Sequence, residues 1–531
     1  MKRKELSIDK KIVDGLILSV FVVFVFIPIF TMLRRITTDG FISIINSAQF
    51  PLAIKNSMAT TLVSTVLSIS LAFIASWCIE RINIKHREIF EVLFTVPMLV
   101  PSISHAFGLV ALFGSNGILT NLLKLNFSIY GFWGIVVGSV MYSFPVAFLM
   151  FLSILEYENG MPYKAAEVLG IPKFNQFIRI TLPYIKRTII SAFFSVFTMI
   201  VTDYGVPLMI GGKTITLSVM MYNKSVAMLD YNSGSVIGSF LLLPAIIAFV
   251  VDLLNSEKTT TYYINDKVEK KQSLSSRLLS YSFCLFISIC VVMPIASFLT
   301  MVFETKYPIN TTFTVKHIIS TINKGSNQFL LNSILYSLLT AIFGTVFAFV
   351  CAYANSRMKN RISKYLHLIS LVSMAIPGIV LGLSYVMFFH DKYIYGGLFI
   401  IVIVNSIHFF SSPYLLAYGA LEKLNMNLEA VGLSLGIKRI NIIIDVIIPK
   451  MKHTITEMMS YFFINSMMTI SAVSFLAPPS PKPIALMINQ FEAQLLMESA
   501  AFVTLIILIT NITIKVFFAK IANKLTNNSI S

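Results

Sequence analysis

The chain has 531 residues, of which 56% are apolar and only 12% are charged, and its mean hydropathy is +0.80. Soluble globular proteins carry about 25% charged residues, so this composition excludes an ordinary soluble protein and indicates a polytopic membrane protein. The net charge of +17 points to nucleic acid only if the basic residues cluster on a soluble surface, and their distribution along the chain argues against that.

Membrane-spanning helices need roughly 20 apolar residues each, and the sequence predicts about twelve of them in an all-α fold. Six lie in each half of the chain. The predicted spans are 12–33, 57–79, 90–113, 131–154, 188–210, 235–254, 279–303, 332–354, 366–389, 395–420, 454–476 and 499–518.

The apolar stretch after the N-terminal basic residues is predicted to be the first retained span. It is too long for a signal peptide, running from Ile12 to Met32 with only Asp14 interrupting it, and no small-residue cleavage site closes it. If the N-terminus is inside, most Lys and Arg residues fall in inward segments, as the positive-inside rule requires. We therefore expect both termini to be cytoplasmic, with inward segments 1–11, 80–90, 156–187, 255–277, 357–364, 422–452 and the tail from 515.

The two halves repeat one another. Asn56–Arg81 and Asn332–Arg357 both begin Asn-Ser and end in Arg, and Pro101 and Pro377 keep the same spacing of 276 residues. The spacing falls to 266 further on, which predicts an extra outward loop at 113–130. The sequence thus predicts a first six-span repeat at 1–254, a cytoplasmic linker at 255–277 and a second repeat at 278–531, arranged as parallel repeats about an axis along the membrane normal.

A moderately polar segment also occurs twice, as Lys164–Pro183 and Ala430–Pro449. In both copies a Gly precedes a Pro by thirteen residues, as Gly170 does Pro183 and Gly436 does Pro449. The charges and the Pro predict that each segment lies in water. The spacing of Ala165, Ala166 and Gly170 predicts one bare helix face on which a large partner packs.

This pattern resembles the cytoplasmic coupling loop of permease subunits in binding-protein-dependent ABC importers, which reads Glu-Ala-Ala, three residues, Gly, nine residues, Ile-x-Leu-Pro. The first copy departs from the family at Lys164, which stands in place of the Glu. The second has Ala430, Val431 and Gly432 in place of Glu-Ala-Ala, with Glu429 adjacent. The small residues persist, and the acid at its family position does not.

The resemblance implies a fused transport subunit of the cell membrane, with a translocation path formed by two six-span repeats and no enzymatic activity or cofactor of its own. It implies two separate ATP-binding cassette ATPase subunits, each seated on one coupling loop, and an extracytoplasmic binding protein that delivers a small solute. Fused permeases of this group resemble those for ferric iron, thiamine, polyamines and 2-aminoethylphosphonate. The segments Thr202–Pro207 and Ser471–Leu476 most resemble the aminoethylphosphonate permeases, so that solute is the expected one.

Polar residues within spans are costly in lipid and are candidates for the translocation pathway. Asp203, Asn405 and Asn465 are the candidates, and His408 is a weaker one. Each could instead make a hydrogen bond between helices, and Asp203 could lie near the water at the outer end of its span.

Two other features resemble functional sites. Gly211-Gly212-Lys213-Thr214 lacks the upstream Gly and the preceding strand of a P-loop. The histidines lack a second ligand at helical spacing, and the four cysteines lie in or at the ends of spans, so no metal or disulfide framework is expected. An ion-coupled secondary transporter remains an alternative, although intramembrane carboxylates are scarce and the repeated segment would have no task in it. A membrane enzyme would need a catalytic cluster.

Overall fold

The computed structural model describes residues 2–82, 84–255, 273–476 and 482–527. Most of the predicted linker 255–277 and the C-terminal end fall outside these ranges. The described residues form an all-helical fold, and their strands are the two of one antiparallel hairpin, β1 (Glu304–Lys306) and β2 (Asn310–Phe313).

The helices of the first half alternate long apolar spans with short connecting helices. They are α1 (Lys2–Phe21), α2 (Ile27–Arg34), α3 (Thr38–Ile45), α4 (Gln49–Arg81), α5 (Arg87–Thr95), α6 (Ser102–Phe113), α7 (Ile118–Leu123), α8 (Phe132–Glu156), α9 (Met161–Val168), α10 (Lys173–Gln176), α11 (Leu182–Thr202), α12 (Gly205–Ile210), α13 (Leu217–Tyr222) and α14 (Tyr231–Asn255). Helix α7 lies in the predicted extra loop 113–130.

The second half repeats this order with one short helix fewer in the corresponding loop. Its helices are α15 (Leu274–Phe303), α16 (Lys316–Asn323), α17 (Ser326–Arg357), α18 (Ser363–Leu371), α19 (Gly378–Phe389), α20 (Leu398–His408), α21 (Ser411–Lys423), α22 (Asn427–Ser434), α23 (Arg439–Ile442), α24 (Ile448–Lys450), α25 (Lys452–Met468), α26 (Ala485–Ala493) and α27 (Met497–Asn527).

Among the described residues nine helices are long and apolar enough to span a membrane, or up to eleven if each of two bent pairs is one span. The predicted eleventh span, 454–476, is the one that is missing from this count. Its helix α25 ends at Met468 after only 17 residues. A non-helical stretch and a short 3₁₀ turn at Val473–Phe475 follow it. A 17-residue helix is at the lower limit for crossing the bilayer.

The third predicted span is broken in both repeats. A 3₁₀ turn at Val96–Leu99 precedes Pro101 and α6, and a 3₁₀ turn at Val372–Ala375 precedes Pro377 and α19. Pro cannot donate a backbone hydrogen bond and clashes with the preceding turn, so it starts a new helix at these places. In the second repeat the two pieces meet at 101°.

The Asn-Ser pairs that open the second span of each repeat have equivalent contacts. The Ser57 hydroxyl accepts a hydrogen bond from the Leu217 N–H at 2.7 Å, and the Ser333 hydroxyl accepts one from the Ile484 N–H at 2.8 Å. The sequence repeat is therefore also a repeat of local structure.

The described chain packs as two compact units that do not coincide with the sequence repeats. One comprises Met1–Phe41, Lys224–Ser239 and Ile318–Ser531, and the other comprises Ile42–Asn223 and Phe240–His317. Helices α1 and α2 contact α17, α18 and α19, whereas α15 contacts α4, α5 and α6. The boundaries 1–254 and 278–531 thus describe repeats of sequence. In the packing, the first span of each repeat contacts helices of the other repeat.

Polar contacts anchor each exchanged helix. In the first unit, Lys10 donates to the Ala354 carbonyl at 2.8 Å and pairs with Asp14 at 2.6 Å, and Asn360 donates to the other Asp14 oxygen at 2.7 Å. Lys10 and Asp14 are both buried. In the second unit, the Tyr281 hydroxyl on α15 accepts from the Lys85 N–H at 2.6 Å.

Candidate functional site

The first repeated loop, Lys164–Pro183, begins within α9 and turns at Gly170. This Gly has φ +67°, in the left-handed region that favours glycine. Its N–H donates to the Glu167 carbonyl at 3.0 Å, and the Ile171 N–H donates to the Ala166 carbonyl at 2.9 Å. Together these two bonds make a Schellman motif, which satisfies the last carbonyls of the helix.

The second repeated loop, Ala430–Pro449, ends its helix α22 in the same way. Gly436 has φ +78°, its N–H donates to the Leu433 carbonyl at 3.2 Å, and the Ile437 N–H donates to the Gly432 carbonyl at 3.0 Å. A Cβ added at either Gly170 or Gly436 would meet nothing within 4 Å. The two glycines are therefore required by the backbone angle and not by crowding within the chain.

The small residues do not share one bare face, contrary to the sequence prediction. Ala165 is exposed while Ala166 is buried. Their counterparts behave alike, since Val431 is exposed and Gly432 is buried against Ile442, whose Cδ1 would lie 2.6 Å from an added Cβ. The inner small residue thus permits packing within the loop. Of the residues at the opening position, Lys164 is partly buried and Ala430 is exposed.

The prolines of the repeated loops stand at the second position of a helix, Pro183 in α11 and Pro449 in the short α24. Residues 173–202 form one continuous helix, with a π-turn at Phe177–Thr181 just before Pro183, and a π-turn at Ile443–Ile447 stands in the same place before Pro449. Pro clashes with the carbonyl four residues earlier. A wider π-turn relieves that clash and lets the helix continue.

A buried arginine at the end of α4 is bound by residues that lie just before the first repeated loop. Arg81 forms an ion pair with Glu158, and the Tyr163 hydroxyl donates to the other Glu158 oxygen. The Thr181 hydroxyl lies 2.6 Å from that of Tyr163, and the Arg81 guanidinium lies over the Trp77 ring at 5.4 Å. One cluster thus joins α4, the end of α8, α9 and the start of α11.

Arg357, the last residue of α17, occupies the equivalent place in the second repeat. Its guanidinium binds both carboxylate oxygens of Glu429, with Nε donating to Oε1 at 2.6 Å. It also donates to the backbone carbonyls of Leu421 at 3.3 Å, Leu424 at 2.8 Å and Asn425 at 2.8 Å. This arginine therefore ties α17 to the end of α21 and to α22.

Sequence reasoning found both arginines but missed their partners. A carboxylate that could take the place of the missing family acid lies just before each loop, at different positions. Glu429 corresponds in the repeat to Tyr163, and the first loop supplies its carboxylate from Glu158 instead. The signal that could have revealed this is the recurrence of Arg at the cytoplasmic end of the second span with an acid near each loop.

The outer surface of each repeated loop exposes apolar side chains at equivalent positions. Leu169 is 74% exposed and its counterpart Leu435 is 71% exposed. Phe174 is 73% exposed and its counterpart Ile440 is 55% exposed. Charged residues adjoin them in the sequence, with Lys173 next to Phe174 and Arg439 next to Ile440, so lipid is a poor environment for this apolar surface. Exposed apolar surfaces of this kind mark protein interfaces.

Asp203 is held by hydrogen bonds to two helix starts. Its Oδ1 accepts from the Ser102 hydroxyl at 2.6 Å, and its Oδ2 accepts from the Val206 N–H at 2.9 Å. It is partly buried and lines a small cavity within its unit. The other lining residues are Ser57, Thr60, Thr61, Ile135, Ser139, Ile200, Val201, Pro207, Thr216 and Ser218.

The other two pathway candidates make bonds between or within helices. Asn405 is completely buried, and its amide donates to the Ser466 hydroxyl at 2.6 Å, which links α20 to α25. Asn465 is partly buried and donates to the Tyr461 carbonyl one turn earlier, at 2.8 Å. In this structure both side chains are engaged in helix contacts. The described residues contain no group of three or more His, Cys, Asp or Glu that could hold a metal ion.

Residues 64–256 and 344–527 each match the family described as "Binding-protein-dependent transport system inner membrane component". The chain belongs to this family. The two matches confirm the predicted duplication and the predicted class of ABC importer permease, and the many apolar helices agree with a multi-pass inner membrane protein. A permease subunit of this family is a transport component and not an enzyme.

Several relatives are similar over both repeats of this permease. The ferric transport system permease protein FbpB of Actinobacillus pleuropneumoniae is 24% identical over 92% of this chain and 75% of its own length. The putative ferric transport system permease protein FbpB 1 of Haemophilus influenzae is 23% identical over 90% of this chain and 79% of its own length.

Other similarities cover a single repeat of the permease. The sulfate transport system permease protein CysT of Escherichia coli is 25% identical over 40% of this chain and 79% of its own length. A chain of the bacterial alginate ABC transporter, solved in complex with an alginate pentasaccharide-bound periplasmic protein, is 18% identical, with a TM-score of 0.38, and the match covers 48% of this chain and 94% of that one.

Proposed function

We propose that this permease carries ferric iron across the inner membrane. The observation that carries the proposal is that relatives similar over about nine tenths of the chain, through both fused repeats, are ferric transport permeases. The sulfate permeases match only one repeat's length. None of the relatives we compared supports the aminoethylphosphonate expectation from Thr202–Pro207 and Ser471–Leu476, and the ferric alternative replaces it.

The repeated loops are proposed as the coupling loops of the importer. Each presents an exposed Leu, at 169 and 435, on a helix that a left-handed Gly ends, and such a surface suits the cleft of a partner protein. We expect one ATP-binding cassette ATPase subunit to bind each loop in the cytoplasm. ATP then shifts the permease between inward-open and outward-open states because the ATPase pair binds the two states with different affinity.

On the opposite side of the membrane, an extracytoplasmic binding protein delivers the iron. The proposed orientation places both termini and residues 255–277 in the cytoplasm, because the Lys and Arg excess lies there. Asp203 is the permease residue proposed to meet the solute or its route, and the binding protein is expected to set the specificity.

Uptake into proteoliposomes tests this proposal. The permease is reconstituted with its ATPase and its binding protein, and accumulation of ⁵⁵Fe(III) is measured with ATP or with a non-hydrolysable analogue. We expect ATP-dependent iron accumulation that unlabelled 2-aminoethylphosphonate, thiamine or spermidine does not reduce. ATP-dependent accumulation of one of those three solutes, with none of iron, would contradict the ferric assignment and leave the importer class intact.

A further inference from the structure

We propose that Arg81 and Arg357 are positioning residues that lock each coupling loop to the second membrane helix of its own repeat. Their guanidinium groups carry the displacement of the loop into that helix. This proposal rests on the proposed coupling role of the loops. It adds the contact through which they act, which we call the joint: the buried ion pair of Arg81 with Glu158, or of Arg357 with Glu429.

The first argument is the position and burial of the two arginines. Each is the last residue of the long second span, at the end of α4 or of α17, and less than a tenth of each is exposed. A buried guanidinium must be paired. Both are paired with a carboxylate that belongs to, or immediately precedes, the helix bearing the exposed Leu.

The second argument is that the two repeats reach this joint with different residues. Glu429 stands on α22 itself and binds Arg357 directly. At the corresponding position Tyr163 donates to Glu158, so the first loop binds Arg81 through a carboxylate five residues earlier. Both repeats thus form an Arg–Glu ion pair with the Glu at different positions. This indicates that the ion pair is needed, whereas the position of its acid is not fixed.

The third argument is energetic. A buried ion pair contributes little stability compared with apolar residues of the same volume, and its best-attested use is to fix geometry. Arg357 illustrates this, because its donors are also directed at the backbone carbonyls of Leu421, Leu424 and Asn425. Such a fork holds the end of α21 and the start of α22 in one orientation relative to α17.

The carboxylates that bind the arginines are buried, whereas the leucines of the docking surface are exposed. Glu429 is buried while Leu435 is exposed, and Glu158 is buried while Leu169 is exposed. A change at the joint should therefore leave ATPase binding intact and prevent only the movement of the loop from reaching the second membrane helix. This separates the proposal from the docking role of the loops.

The test exchanges the acid between equivalent positions. In Glu158→Gln, Arg81 loses its charged partner, and we expect the ATPase to copurify and hydrolyse ATP while iron uptake per ATP falls roughly tenfold. In Glu158→Gln/Tyr163→Glu, the carboxylate stands where Glu429 stands in the other repeat, and uptake should recover. The matched control Glu158→Gln/Tyr163→Gln carries no carboxylate and should not recover.

A second variant keeps the test decisive if Glu158→Gln does not reach the membrane. Arg81→Met/Glu158→Leu removes both charges and keeps the volume, so it should fold and should hydrolyse ATP without uptake. Normal uptake by this double variant would overturn the proposal. So would Glu158→Gln losing both ATPase binding and uptake, if adding Tyr163→Glu did not restore them. Failure of the coupling role itself would show differently, because ATPase recovery and iron uptake would then both survive the exchange of the exposed leucines, Leu169→Glu/Leu435→Glu.

Discussion

Gly170 and Gly436 adopt the same left-handed backbone conformation, with φ angles of +67° and +78°, at equivalent places in the two repeated loops. Open space surrounds both. The backbone angle alone therefore constrains them, and that distinction makes a sharp mutational test possible.

Gly170→Val and Gly436→Val should each disrupt the turn that ends the loop helix. A β-branched residue in the left-handed region costs about 1–3 kcal/mol, so we expect the permease to reach the membrane but to bind the ATPase weakly and to lose uptake. Gly170→Asn and Gly436→Asn are the matched controls, because Asn tolerates this conformation. We expect the first loop to be the more sensitive, since Ala165 and Ala166 match the family there. Equal damage by Val and Asn would show that bulk, and not φ, is decisive.

Asp203→Asn removes a negative charge while keeping side-chain groups for the contacts with Ser102 and Val206. We expect normal assembly in the membrane with impaired uptake, because the charge is proposed to face the solute route. Asp203→Ala, which also loses the acceptor for the Val206 N–H at the start of α12, should in addition lower the free energy of unfolding by about 1 kcal/mol. Normal uptake by Asp203→Asn would reduce the role of Asp203 to capping.

The proposed orientation predicts which engineered cysteines are accessible from outside. In intact cells, a membrane-impermeant thiol reagent should miss Lys267→Cys in the linker and label Thr311→Cys, an exposed residue of the β1–β2 hairpin. Labelling at position 267 would reverse the topology and remove the loops from the cytoplasm.

The buried pair Lys10–Asp14 should stabilise the exchanged first helix within its unit. Lys10→Met leaves Asp14 buried without its charged partner, a change that costs about 3–5 kcal/mol. The expected result is a lower midpoint of thermal unfolding for the purified protein, whereas the exposed neighbour Lys11→Met should leave the midpoint unchanged. An unchanged midpoint in both variants would mean that the pair does not hold the helix.

Hydropathy and internal repetition predicted the class of the fold, because lipid requires long apolar helices. The length of each apolar stretch and the excess of Lys and Arg between stretches can be read from local sequence. The breaks before Pro101 and Pro377 follow from proline itself, which cannot donate a backbone hydrogen bond. The early end of α25 at Met468 could not be anticipated, because neither Pro nor Gly stands in the residues that follow it up to Leu476. The exchange of α1 and α15 was also inaccessible, since it depends on contacts between distant segments.

For the candidate site, the sequence indicated the loops and their glycines but not which way the side chains face. Ala166 was expected on a docking face and is buried inside the loop instead, as is its counterpart Gly432. The carboxylate partners of Arg81 and Arg357 escaped notice because the family pattern places the acid at one position, whereas packing brings Glu158 and Glu429 from two different ones.

The central claim is that the repeated loops bind the ATPase, and the most direct measurement is ATPase recovery with affinity-purified permease. The double variant Leu169→Glu/Leu435→Glu places a charge on both exposed apolar positions without touching Gly170, Gly436 or the buried arginines. We predict that the unmodified permease retains the ATPase and that the double variant, present in the membrane at the same level, loses most of it along with iron uptake. Full ATPase recovery and normal uptake by the double variant would contradict the claim.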